Sequence, residues 1–146
     1  MTTPAENTAT ARELVQRVLN EGDIAFADKI LAESYVESSP MPGGTADKAG
    51  AIAMFTMMRE MTPDMHIEIE DVIASGNKVA MRSTMTGTDT SGMPGVAPPT
   101  GKPFSMGAID VFTFDDDGMN TEHYGVYDIA GMMTQLGHMP SPPPPA

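Results

Sequence analysis

Apolar residues recur at helical spacing in three stretches of the first half of the chain and alternate with polar residues through most of the second half. Ala11, Leu14, Val15, Val18 and Leu19 fall on one face of a helix that Asn20-Glu21-Gly22-Asp23 brings to an end. The polar residues 1–7 ahead of it are expected to fray. Ile24, Phe26, Ala27, Ile30 and Leu31 predict a second, shorter helix with Asp23 as its N-cap, and Tyr35-Val36 a short extended piece after it. Residues 37–44, Glu-Ser-Ser-Pro-Met-Pro-Gly-Gly, carry turn chemistry and predict a loop. A third helix follows from Asp47 to Met61, with Ala49, Ile52, Ala53, Phe55, Met57, Met58 and Met61 along it, and Thr62-Pro63 stops it.

From His66 the period changes to two. His66 to Ile73 alternates polar and apolar residues and turns at Ser75-Gly76-Asn77-Lys78 into a second strand, Val79 to Thr90. Ser91 to Pro103 reads as a proline- and glycine-rich loop, and Phe104 to Asp115 as a third strand. Asp115-Asp116-Asp117-Gly118 turns into a fourth strand that runs to Asp128, and Ile129 to Leu136 makes a last short helix with Gly137 past its end. Helices followed by antiparallel strands predict an α+β domain over residues 1–137, in which N-terminal helices cover one face of a curved sheet to form a cone. The open end of such a cone suits a small molecule. The tail, residues 138–146, ends in Pro142 to Pro145 and is expected to be disordered.

Composition narrows the functional classes. Eight basic against twenty acidic residues give a formal charge of −12, which repels phosphate backbones and anionic membrane surfaces, so neither nucleic acid nor membrane is an expected partner. The chain has no cysteine, which excludes disulfides, thiolate metal sites and a cysteine nucleophile. His66, His123 and His138 are scattered, so no metal site is expected. The N-terminus lacks the basic and apolar regions of a signal peptide, and no apolar run approaches the ~20 residues that span a bilayer, so a soluble, cytoplasmic protein is expected. Fifteen methionines against five Phe, three Tyr and no Trp suggest either an adaptable apolar pocket or a loosely specified core.

The candidate chemistry lies in residues 119–137. On a strand Glu122, Tyr124, Val126 and Asp128 share one face, and His123, Gly125 and Tyr127 the other. If the two-carboxyl face lines an apolar cavity, burial raises a carboxyl pKa and makes a proton shuttle. A solvated edge strand, with Asp128 only capping the final helix and His123 meeting a backbone carbonyl or a second subunit, is the competing structural reading. Asp110 stands among Phe104, Met106, Ala108, Phe112 and Phe114 on one strand face, where an acid must be neutral, paired or functional.

Several short segments, taken in order, resemble the SnoaL-like polyketide cyclases of the NTF2-like, ketosteroid-isomerase-like superfamily. They are Asn20 to Asp23, Tyr35 to Pro40, Thr62-Pro63-Asp64, Thr86-Gly87-Thr88-Asp89, Pro98 to Lys102, Glu122 to Asp128 and Gln135 to Gly137. Ser38 and Asp89 stand where the family pattern has histidines, and Tyr124 where it has tryptophan. The resemblance implies a cofactor-free acid–base enzyme of secondary metabolism that enolises a polyketide-like substrate and closes a ring by intramolecular aldol attack. It points first to Asp128 and then Asp110 as the acid/base, with Glu122 and His123 tuning the charge. Tyr124, Tyr35, Met54, Met58, Met85, Met106 and Phe112 are expected to line the substrate, and a homodimer or higher homo-oligomer is expected. A cycloaddition-type cyclase or an isomerase on the same fold, and a non-catalytic binder of small apolar ligands, stay open beside it.

Overall fold

A computed structural model describes residues 1–146 as four helices and a five-stranded curved sheet. Helix α1, Pro4–Glu13, starts at a capping box: the Thr3 hydroxyl accepts from the Glu6 amide while the Glu6 carboxylate accepts from the Thr3 amide. With Pro4 in the first turn, this orders the residues expected to fray. The helix widens into a π-helical continuation over Leu14–Asn20, where Leu14, Val15 and Val18 are buried. Helix α2, Ile24–Ile30, is capped by Asp23, and α3, Lys48–Met61, by Asp47.

Strand β1, Leu31–Glu37, is longer than Tyr35-Val36 and takes Leu31 from the predicted second helix. It pairs parallel with β5, Asn120–Tyr127, which corrects the expectation of a wholly antiparallel sheet. β2, His66–Ser75, β3, Lys78–Thr88, and β4, Pro103–Phe114, complete the order β1-β5-β4-β3-β2, with antiparallel pairing everywhere else. β3 and β4 pair without a break from Lys78–Thr113 to Thr88–Pro103. Register shifts at Ile69/Asp71 and Thr113/Phe114 add the local bends that curve the sheet.

The inner face of that curve holds the core, in which Val18, Ala27, Leu31, Val79 and Met81 are almost wholly buried under the helices. Helix α4, Ile129–Gln135, closes against β4: the Gln135 side chain accepts from the Ser105 amide and donates to its carbonyl, and Leu136 is buried beyond it. Residues 140–146 are exposed and form no helix or strand. No helix is long and apolar enough to cross a membrane.

Candidate active site

His123 is the hub of a buried polar row on the inner sheet face. Its Nδ1 lies 2.9 and 3.0 Å from the two carboxylate oxygens of Glu37, at the end of β1, and its Nε2 lies 2.7 Å from Asp110 Oδ1 on β4. The Tyr35 hydroxyl donates to Glu37 Oε2, while the Ser39 amide and hydroxyl donate to Oε1. At the other end the Tyr127 hydroxyl donates to Asp110 Oδ1 over 3.2 Å. The Phe112 ring packs against the imidazole, with ring centroids 5.2 Å apart.

Carboxylates offer no proton, so both ring nitrogens of His123 must donate, and the ring is an imidazolium. Burial works against that charge, but the bonds to Asp110 and Glu37 outweigh it and raise the His123 pKa to about 9. Burial likewise opposes charge on Glu37, yet its bonds from His123, Ser39 and Tyr35 hold its carboxyl below the usual glutamate range. Burial, reinforced by the neighbouring carboxylates, raises Tyr35 and Tyr127, so both phenols keep their protons and act as donors. The row therefore sets an imidazolium between the carboxyl groups of Glu37 and Asp110.

Both donors to Asp110 reach the same oxygen, which leaves Oδ2 without a protein partner on a side chain that lines an apolar cavity. This cavity encloses about 70 Å³ between the π-helical segment, α3 and the inner sheet face. Among its lining side chains only Tyr35, Ser83, Asp110, His123 and Tyr127 carry polar atoms. Ser83 sits opposite Ala108 on β3, one inward step from the Met81–Asp110 pair. That diagonal puts it roughly 7–8 Å from Asp110, enough for a carbonyl group between them. Its hydroxyl has no side-chain bond of its own. No group of three or more His, Asp or Glu side chains is arranged to hold a metal ion.

The structure brings Asp110, His123, Tyr35, Met54, Met58, Met85, Met106 and Phe112 together at this cavity. It places Asp128, Glu122 and Tyr124 elsewhere. Asp128 is exposed and caps α4, accepting from the Gly131 amide at 2.9 Å. Glu122 accepts from the Ser38 hydroxyl on the outer face, and Tyr124 beside it is 50% exposed. The alternation of the strand is as predicted, but the helices cover the opposite face, so His123, Gly125 and Tyr127 look inward.

Glu37, Ser83 and Tyr127 are site residues that sequence reasoning did not select. Gly125 is a fourth, for a steric reason. A Cβ there would lie 2.5 Å from the Tyr127 hydroxyl and 2.9 Å from Asp110 Oδ1, so only glycine lets the phenol fold back across the strand. Gly125→Ala is expected to break the Tyr127–Asp110 bond and reduce any activity at least about tenfold, with about 1–3 kcal/mol lost from overpacking. Tyrosine-ring NMR shifts together with denaturant unfolding check this.

The model of the SnoaL-like polyketide cyclases matches residues 9–136. The chain belongs to that family. Among solved structures, TsrD from Streptomyces laurentii is 26% identical, with a TM-score of 0.83 over 95% of this chain and 100% of that one. IdmH from Streptomyces antibioticus, a candidate polyketide cyclase, is 29% identical, with a TM-score of 0.78 over 90% of this chain and 98% of its own. AclR from Streptomyces galilaeus, a candidate hydroxylase, is 26% identical, with a TM-score of 0.81 over 97% of this chain and 87% of its own. No curated protein sequence matches the chain. The family and these neighbours share the NTF2-like α+β cone and support a cyclase- or hydroxylase-like role on a small molecule.

Proposed function

We infer that the protein closes a ring in a polyketide-like substrate by acid–base catalysis, as an enzyme of secondary metabolism such as antibiotic biosynthesis. The observation that carries this reading is the single unpartnered carboxylate oxygen of Asp110 on an apolar cavity, with the other oxygen held by His123 and Tyr127. Asp110 removes a proton from the carbon next to a ketone, and the C–H bonding pair becomes the enolate. Ser83 donates to the enolate oxygen from across the cavity. The enolate carbon attacks a second carbonyl of the same molecule, forming the C–C bond of the ring. The resulting alkoxide takes the proton back from Asp110, so the product is an isomer of the substrate. His123 is already doubly protonated, so it positions Asp110 and balances its charge rather than receiving the substrate proton.

The otherwise apolar cavity wall also favours a second reading, in which the pocket folds a polyene for cycloaddition and no proton moves. Incubation with a linear keto-polyene methyl ester that carries a second carbonyl and two deuterons on the carbon next to its ketone distinguishes the two. Aldol closure breaks a C–D bond at the carbon that joins the ring and so shows a primary isotope effect and loses one deuterium there, whereas closure that keeps both deuterons and shows no such effect supports cycloaddition. If the ester binds but neither loses deuterium nor cyclises, the enzyme reading fails and a binder remains.

The outer sheet face supports self-association as part of this reading. Ile109 pairs with Val126 and Val111 with Tyr124, which forms an apolar strip of which Ile109, Tyr124 and Val126 are each about half exposed. A second copy of the chain, placed across a two-fold axis, covers it. Sedimentation should give twice the 15.5 kDa monomer mass, and Val126→Asp should return the monomer.

A further inference from the structure

A second cleft lies between α3 and the loop of residues 38–46, and one of its walls also belongs to the cavity of the polar row. Met54 lines both spaces, and Glu37, which lines the cleft, bonds His123, which lines the cavity. The loop holds its own shape: the Glu37 amide donates to the Ala46 carbonyl at its neck, and the Gly44 amide donates to the Met41 carbonyl near its tip. Opposite it, Ala49, Ala53 and Met57 recur every four residues on α3 and so share one stripe. Alanine at two of those positions leaves room, and the cleft measures about 450 Å³, lined further by Met41, Pro40 and Pro42.

The 70 Å³ cavity alone is far below the roughly 300–1,000 Å³ that buries a ligand of drug size, whereas the two spaces joined fall within that range. Met54 is the side chain common to both linings, and the Glu37–His123 pair joins them through hydrogen bonds. Glu37 is fixed by its hydrogen bonds, but Met54 is an unbranched thioether that is only partly buried.

The geometry points to a single bipartite site in which Met54 is a movable partition. A ketone head group sits at Asp110, and the apolar chain attached to it runs past Met54 into the cleft beneath the loop of residues 38–46. The site thus takes elongated substrates, a keto group followed by several methylene or polyene carbons, and the length of the cleft selects among them. This rests on the reading of the Asp110 cavity as a ketone site.

The methionines divide into reporters for each space. Met58, Met85 and Met106 line the cavity only, and Met41 and Met57 the cleft only. In a ¹³C-methyl-methionine NMR titration of the full chain, 2-pentanone should shift the cavity methyls alone. 2-Decanone should shift Met41 and Met57 as well, with affinity rising about fourfold per added methylene. Ala53→Phe fills the cleft without touching the cavity. It should weaken 2-decanone at least about tenfold and leave 2-pentanone within about twofold. Movement of the cavity methyls by 2-decanone with Met41 and Met57 unmoved overturns the bipartite site and leaves the ketone cavity standing. Movement of neither set with either ketone overturns both, and unchanged 2-decanone affinity in a folded Ala53→Phe protein overturns the cleft as the chain's position.

Discussion

Asp110→Asn should lower ring closure of a linear polyketone by about 10²–10⁴-fold while the protein stays folded and still binds 2-pentanone. The amide has the shape of the carboxylate and keeps an oxygen to accept from His123 and Tyr127, so the geometry of the row survives. What disappears is the second oxygen as a proton acceptor. Loss of deuterium from an α-deuterated substrate should fall in step with ring closure, because one group performs both proton transfers. Asp128→Asn is the matching control. Asparagine is also a good N-cap, and Asp128 bonds only the Gly131 amide at the exposed start of α4, so closure should stay within about twofold of wild type. Loss of activity in Asp128→Asn with activity kept in Asp110→Asn would defeat the assignment of the base.

That contrast marks where sequence reading stops. Alternation along Glu122 to Asp128 correctly separates the two faces of β5, but it does not say which face the helices cover. Tyr124 and Val126 make the outer face look as apolar as an inner one, and the family pattern draws attention to Asp128 at its end. Asp110 is legible because its own strand is lopsided, with aromatics and methionines at every second position around it. Glu37 is not, since it stands at the head of a Ser-Ser-Pro loop and meets His123 only through a contact spanning 86 residues of chain. Gly125 carries a weak signal, as a glycine inside a strand marks a close approach without naming its partner.

The elements themselves were more legible than the site. The caps at Asp23 and Asp47, the turn at Gly76 and the four long strands follow from local chemistry. The start of α1 was also written in Thr3-Pro4-Ala5-Glu6, a capping box hidden among residues that look frayed by polarity alone. Leu31 reads as helix because its strand conformation depends on β5, distant in the chain. Many of the residues that carry the family resemblance prove to be fasteners. Asn20 pairs its side chain with the backbone of Ile67, Asp64 binds Thr88, Asp89 gathers Gly92 and Thr100, and Gln135 ties α4 to β4. Such motifs identify a fold reliably because they brace its backbone, and for the same reason they say little about which carboxylate does the chemistry.

His123 should make stability depend on pH in a way that separates its role from Asp110's. Its pKa is about 9 in the folded chain against an ordinary value of 6.5, so the folded state binds the proton more tightly. The stabilisation is fully present below pH 6.5 and is lost as pH rises through about 9, with an order of magnitude of ~3 kcal/mol. Glu37 has the opposite sign. Its lowered pKa contributes stability above the ordinary value of 4.5, and this is lost as pH falls through the lowered one. The row is therefore most stabilising between these limits, and urea unfolding of wild type at pH 6, 7.5 and 10 should show a declining series. His123→Gln cannot titrate, so that decline should vanish from its series. It also leaves two buried carboxylates without their cation, which should cost about 3–5 kcal/mol at pH 6. A wild-type series that is flat from pH 6 to 10 would mean that the imidazole is neutral at pH 7. His123 would then be free to take a substrate proton itself, and the division of labour with Asp110 would reverse.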